Sequence, residues 1–321
     1  MSPAPTPLPP EAAYAAALEV NPAALTAAPA APSEDEARAI EVVRAHLAGA
    51  HMGPAAFPSI AMTILDLVQF PDVDLNELSK YIRVDGALAG GVLALANSAI
   101  YRAVRRIDTV KEAVSRIGMS DVARLAAAIA MRSVYGPDAG RTHERYTPAW
   151  SRTFLHAVTV GRCASDLAKA KLAPTPGSEQ AFMAGLLHDV GRAGALRALA
   201  ELTAFEKIPA LEDAAVGRVV QAVHLEAGVD LHRIWRLPPT LAEVAGHHHD
   251  AAPAGPSAPF IHLVRMVSAL DLHRREPLSH VGAVAEVVSS ARALGLPPER
   301  VKDLGKDLEN AEAWVKTAIP G

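Results

Sequence analysis

The sequence predicts an all-α protein, a multi-helix bundle, on three observations. Half of the 321 residues are apolar, mostly Ala, Leu and Val, and aromatics make up only 4%; such a composition favours helices packed closely through small side chains. Runs of alternating β-branched residues are scarce. Apolar residues recur instead at three- and four-residue spacing along most of the chain. A chain of this length can bury a sizeable core, as one large domain or two modest ones.

In chain order, residues 1–34 carry Pro3, Pro5, Pro7, Pro9, Pro10, Pro29 and Pro32, which interrupt any helix, so a loose arm is expected. Ser33-Glu34-Asp35-Glu36 reads as a helix start with acids in the first turn, and Ile40, Val43 and Leu47 continue an amphipathic helix to near Gly49. After Phe57-Pro58-Ser59, the residues Ile60, Ile64, Leu67 and Val68 make a helix broken at Pro71. Asp74 opens another, and Asp85-Gly86 a third that carries Leu88, Val92, Leu95 and Ala96. One more amphipathic helix spans 107–117, and Gly118-Met119-Ser120-Asp121 leads into an Ala-rich helix through Met131. Arg102, Arg105 and Arg106 read as a solvated face, since no aromatics interleave with them. Residues 136–147 connect two helical halves. Helices are then expected at 149–170, 179–190, 193–205, 212–235, 238–249 and 259–274. Beyond Pro277, two helices near 281–294 and 298–317 cap the bundle, the last anchored by Trp314. The expected organisation is an arm at 1–34, a helical domain at 35–275 with halves at 50–135 and 148–275, and capping helices at 276–321.

Net charge is -4, so no global positive field attracts nucleic acid or an anionic membrane. The single cysteine, Cys163, forms no internal disulfide and reads as a small core residue between Val160 and Leu167. No charged start followed by an apolar run opens the chain, and no apolar stretch reaches the ~18 residues of a membrane helix. The expected compartment is the cytoplasm. No repeat period, P-loop, dinucleotide fingerprint or Gly-x-Ser-x-Gly elbow occurs.

The chemistry concentrates in Gly185-Leu186-Leu187-His188-Asp189-Val190-Gly191-Arg192. If the helix opening at Ser178 runs through, Phe182, Gly185, Leu186 and Asp189 share the core-facing stripe, and Gly191 suits a left-handed terminating position. An ionised Asp on a buried stripe is costly unless paired or metal-bound. Three further histidines fall on apolar stripes. His156 sits with Val160, Cys163 and Leu167, and His224 with Val220, Ala227, Gly228 and Leu231. In His247-His248-His249 the middle ring follows Leu241, Val244 and Ala245, so it alone is expected to point inward. Four imidazoles and one carboxylate from separate helices suit a divalent first-row metal. A metal-free network in which Asp189 accepts from imidazoles is the alternative, and such a cluster could also sense pH.

The order His156, His188-Asp189, His224-Leu225-Glu226-Ala227-Gly228, His248-His249-Asp250 resembles the helical HD superfamily. Phe57-Pro58, Asp85-Gly86-Ala87-Leu88, Leu95-Ala96-Asn97-Ser98-Ala99-Ile100-Tyr101 and Ile107 to Val114 resemble the HDOD domain, an HD-related output module of bacterial signalling proteins. The resemblance covers roughly residues 50–275 and implies an HD-like bundle with an N-terminal helical subdomain. It also implies a signal-transduction role without demonstrated catalysis, exercised by binding a signalling protein or small regulatory ligand. Catalytic relatives are metal-dependent phosphohydrolases of nucleotides or cyclic dinucleotides, which need a complete ligand ring. By that resemblance a divalent Mn, Fe or Zn ion would take His156, His188, Asp189 and Asp271, while Arg192, His224, His248 and Arg265 would meet a ligand. The family's late acid aligns with Arg265, a cation, and the Gly-Tyr-Pro segment of the cyclic-dinucleotide phosphodiesterases is absent.

Overall fold

The computed structural model describes residues 13–14, 17–18, 31–49, 78–79, 82–83, 85–101, 105–136, 144–170, 177–275 and 282–319. The expected helix from Ile60 to Val68, the start at Asp74 and the Phe57-Pro58 pair lie outside these. Every regular element among the described residues is helical. The helices are α1 Glu34–Ala48, α2 Gly86–Ala96, α3 Val110–Ile117, α4 Met119–Met131, α5 Thr147–Lys169, α6 Ser178–Leu187, α7 Val190–Ala204, α8 Asp213–Ile234, α9 Pro239–His247, α10 Ala258–Arg275, α11 Ala283–Ala293 and α12 Pro298–Ala318.

The starts follow local chemistry. Ser33 and Glu36 close a reciprocal capping box on α1, each side chain taking the other's backbone N–H. Asp85 caps α2 by accepting from the amides of Ala87 and Leu88. Thr109 caps α3 in the same way. Within the stretch expected to form a loose arm, Tyr14 is buried and donates its hydroxyl to the Leu296 carbonyl at 2.6 Å. A tyrosine that can bury its ring and satisfy its O–H is held even in Pro-rich surroundings.

α5 packs on α6, α7 on α8 and α10 on α11, while α9 sits against α8, α6 and α10. α1 lies on α7 and α8, tied by Glu36 to Arg218 and Arg44 to Glu226. α12 crosses both α5 and α2, so it bridges the halves, with Trp314 buried as expected.

The segment 95–101 explains itself as a joint. The Asn97 amide donates to the carbonyls of Leu93 and Ile107 and accepts from the Ile107 N–H, which pins the following loop. The Tyr101 hydroxyl donates to Asp121 on α4. Asp121 also pairs with Arg124 at 2.6 Å and with Arg162 of α5 at 2.9 Å, and Arg162 lies over the Trp314 ring of α12 at 5.0 Å. Arg124, fully buried, reaches on to Glu179 of α6 at 3.3 Å. One charged network thus joins the two halves. Arg105 and Arg106 are exposed and paired with Glu112 and Asp108, as a solvated face requires.

Two glycine crossings set the packing around residues 188–189. A Cβ on Gly185 would lie 2.6 Å from the Gly161 Cα, so α5 and α6 touch backbone to backbone. A Cβ on Gly191 would lie 1.9 Å from the His224 carbonyl oxygen and 2.5 Å from the Gly228 nitrogen. Gly191 is therefore inside α7 at its contact with α8, not a left-handed helix terminator. The Gly191→Ala variant is expected to lose about 2 kcal/mol or more of stability. Gly217→Ala, on an open face of α8 with nothing near its Cβ, is expected to gain roughly 0.5–1 kcal/mol. Urea midpoints of the two variants check both, and an unchanged midpoint for Gly191→Ala would contradict the tight crossing.

Candidate metal centre

α6 ends at Leu187, and His188 and Asp189 form the turn into α7. The expected helix through residue 190 thus ends three residues early, at Leu187. Each flanking helix is held by a glycine contact with a different partner, α6 to α5 at Gly185 and α7 to α8 at Gly191, and the turn lies between the two contacts. The turn delivers Asp189 to the middle of the bundle, 1% exposed.

Four imidazoles surround it. His156 comes from the middle of α5, His188 from the turn, His224 from the middle of α8 and His248 from the end of α9, all 3% exposed or less. Their Nε2 atoms stand 3.7, 3.6, 3.7 and 3.5 Å from the Asp189 carboxylate, respectively. The predicted convergence of four stripes on one acid is therefore present. Of the other two rings of the triplet run, His247 is exposed and pairs with Asp250. His249, expected to look elsewhere, stacks on His248 at 4.2 Å and faces His224 at 5.3 Å. α9 ends at His247, so helical spacing no longer governs the two residues that follow.

The proton positions follow from the partners. His188 Nδ1 meets the Gly185 carbonyl at 2.7 Å, His224 Nδ1 the Gln221 carbonyl at 2.8 Å, and His248 Nδ1 the carbonyls of Val244 and Ala245. A carbonyl only accepts, so each Nδ1 carries the proton. His156 Nδ1 donates to the Asp271 carboxylate at 2.7 Å. With neutral rings, all four Nε2 atoms then turn lone pairs toward Asp189. Burial first of all pushes His188 and His224 well below the ordinary histidine range, and His248 below it. Burial opposes the Asp189 charge, but the Arg192 guanidinium beside it holds its carboxyl well below the usual carboxylate range.

Few protons enter this ring of lone pairs. Arg192 Nε donates to one Asp189 oxygen at 2.6 Å, and its other arm goes to Gln221. Ser268 of α10 stands 3.1 Å from His156 Nε2 and 3.2 Å from His188 Nε2, yet its one hydroxyl proton serves a single nitrogen. Asp189 Oδ1, His224 Nε2 and His248 Nε2 are buried with no hydrogen-bond partner. Each such orphan costs about 1–3 kcal/mol. A divalent ion answers all of them, and two ligands each roughly 2.1 Å from a tetrahedral ion stand about 3.4 Å apart. His156, His188 and Asp189 form one group able to hold a metal, and His224, His248 and His249 a second.

α10 differs from the expectation. Arg265 points to α11, where it donates to Ser289 at 2.6 Å and Ser290 at 3.1 Å. The residue of α10 that faces the cluster is Ser268, one turn further on. Asp271 lies behind His156, on its outer nitrogen, and also accepts from Arg275 at 2.7 Å. Ser268 carried no sequence signal beyond its place on the stripe with Val264 and Asp271.

The fold has counterparts among known proteins. A Shewanella amazonensis protein, provisionally named a metal-dependent phosphohydrolase, superposes with a TM-score of 0.67 at 18% identity, over 89% of this chain and 100% of that one. An HDOD domain protein of unknown function from Geobacter sulfurreducens gives 0.62 at 22%, with the same coverage. A Marinobacter aquaeolei protein provisionally named for signal transduction gives 0.53 at 20%, over 97% of this chain and 66% of that one. At these identities the likeness is one of fold. In sequence, an uncharacterized protein of Treponema pallidum is 28% identical over 203 residues, 60% of this chain and 37% of that protein. The chain thus spans little more than a third of that relative's length. The HDOD domain matches residues 55–251, which take in the pinned Asn97 loop and every cluster histidine. On that match and the helical order that carries it, the chain belongs to the HDOD domain family.

Proposed function

We propose that the protein acts in bacterial signal transduction by binding a partner protein or a small regulatory ligand, and that its His/Asp cluster holds a divalent cation without turning over a substrate. One observation carries this reading: Asp189 and the four imidazoles are each 3% exposed or less, closed on the α10 side by Ser268. Hydrolytic metal sites keep one coordination position open to water and substrate, whereas structural sites are closed.

The residues that would hold the ion are Asp189, His156, His188, His224 and His248. Bound there, the ion supplies positive charge to lone pairs that otherwise face one another, and ties α5, α8, α9 and the 188–189 turn together. An imidazole-rich donor set suits Zn or Fe better than the oxygen-seeking Mn. Arg192, engaged by Asp189 and Gln221, is a counter-ion within the cluster. No helix among the described residues is long and apolar enough to cross a membrane.

A metal-dependent phosphohydrolase is the second reading, favoured by the donor set and by the name of the Shewanella protein. Protein purified without a polyhistidine tag separates the two. The expected result is about one Zn or Fe per chain or more, lost in Asp189→Ala, with no hydrolysis of nucleotides or cyclic dinucleotides. Turnover that disappears in Asp189→Ala would overturn the holding site in favour of the enzyme, and metal-free protein would remove the cation from both.

The cluster also sets a pH dependence. His188, His224 and His248 have folded values below their unfolded value of about 6.5, and Asp189 lies below its unfolded value of about 4, so the folded state binds fewer protons. The stability is present above pH ~6.5 and is lost as pH falls, by about 1.4 kcal/mol per pH unit for each fully coupled histidine. Urea titrations of chelator-treated protein between pH ~8 and ~5 are expected to show this decline. A flat profile would mean that the imidazoles protonate without opposition in the fold.

A further inference from the structure

Three of the four inward imidazoles are oriented by backbone carbonyls, and His156 alone is held by a carboxylate. Behind it the contacts continue outward. Asp271 Oδ2 accepts from His156 Nδ1 at 2.7 Å and from Arg275 Nε, also at 2.7 Å; Arg274 approaches the other oxygen at 3.5 Å. Both arginines then converge on one oxygen of Glu312 in α12, at 2.8 Å and 3.1 Å. Among the described residues, Lys316 stands 2.6 Å from the second Glu312 oxygen and Glu309 3.9 Å from Arg274. Asp271 is fully buried and Glu312 is 16% exposed at its side chain.

A carboxylate behind a metal-binding imidazole fixes its tautomer and strengthens its free nitrogen as a donor. How well Asp271 does this depends on how far the two guanidiniums draw on the same oxygens. Glu312 shares those guanidiniums. Remove its charge and both arginines fall back on Asp271, which adds uncompensated positive charge one residue away from His156.

We propose that Glu312, on a C-terminal helix beyond the matched domain, is a positioning residue for His156 that acts through Arg274, Arg275 and Asp271 to strengthen cation binding at the cluster. The inference rests on the reading that the cluster holds a cation. It assigns to α12 a function besides packing: the helix contributes to the affinity of a site it does not touch.

The test measures Zn²⁺ affinity of the full chain by competition with a chromophoric chelator, alongside the melting temperature of each metal-free variant. Asp271→Asn is expected to weaken Zn²⁺ binding on the order of 10–100-fold, the usual effect of removing a carboxylate behind a ligand. Glu312→Gln, one step further out, is expected to weaken it roughly threefold or more. In the Asp271→Asn background the Glu312→Gln change should have no further effect on affinity, because its route to His156 is gone. Affinity losses that multiply in the double variant, or a Glu312→Gln affinity equal to wild type, would overturn the proposal. If Glu312→Gln does not fold, Glu312→Asp decides, since it keeps the charge at shorter reach: weakened binding supports the relay and an unchanged affinity overturns it. Wild-type protein that binds no Zn²⁺, Fe²⁺ or Mn²⁺ would instead overturn the holding site itself, and the relay with it.

Discussion

The structure depends on a buried carboxylate surrounded by lone pairs. Asp189 is 1% exposed and receives a single short N–H, from Arg192, while four Nε2 atoms face it at 3.5–3.7 Å. Taking one carboxylate out of water costs several kcal/mol even after relaxation. Apolar packing supplies no counter-charge, so Asp189 depends on the Arg192 guanidinium and on helices held at fixed distances around it. The glycine crossings follow from this need. α5 reaches the acid only because Gly161 meets Gly185, and α8 only because Gly191 meets Gly228, each contact closer than a Cβ allows.

Much of this was legible in the residues. A polar side chain on an apolar helical stripe is conspicuous, and that exception named Asp189, His156, His224 and His248, with His188 beside the acid, without any knowledge of the fold. Helix starts were equally plain where a cap announced them, as at Ser33 and Asp85. What failed were inferences about where one side chain points near a helix end. Gly191 looked like a terminator because glycine serves both left-handed turns and close approaches, and only the partner helix decides between them. His249 was assigned outward by extending a helix that had already stopped.

α10 shows the same limit in another form. A helix of this kind has apolar residues on nearly every face, with Phe260, Leu263, Val264, Met266, Val267 and Leu270 all buried. Its sequence therefore does not fix its rotation, which is set by packing against α5, α6 and α11 together. Three residues of register separate an arginine facing the cluster from a serine facing it. In the fold, Arg265 finds the hydroxyls of Ser289 and Ser290 on α11, and Ser268 takes the inner position.

That choice bears on what the cluster can do. A carboxylate at 268 would add a second negative group to the ring; an alcohol adds one proton and no charge. The carboxylate that α10 does provide, Asp271, stands on the far side of His156 and is already shared among an imidazole and two guanidiniums. The helix thus strengthens an existing donor where it could have supplied a new one. The same division runs through the joint between the halves, where Asp121, Arg124, Arg162 and Glu179 spend their charge on one another. Buried ion pairs of this sort add little net stability but penalise every alternative register. Since α6 leads directly into the 188–189 turn, the register fixed at the Tyr101–Asp121 joint is also the register in which Asp189 meets its four imidazoles.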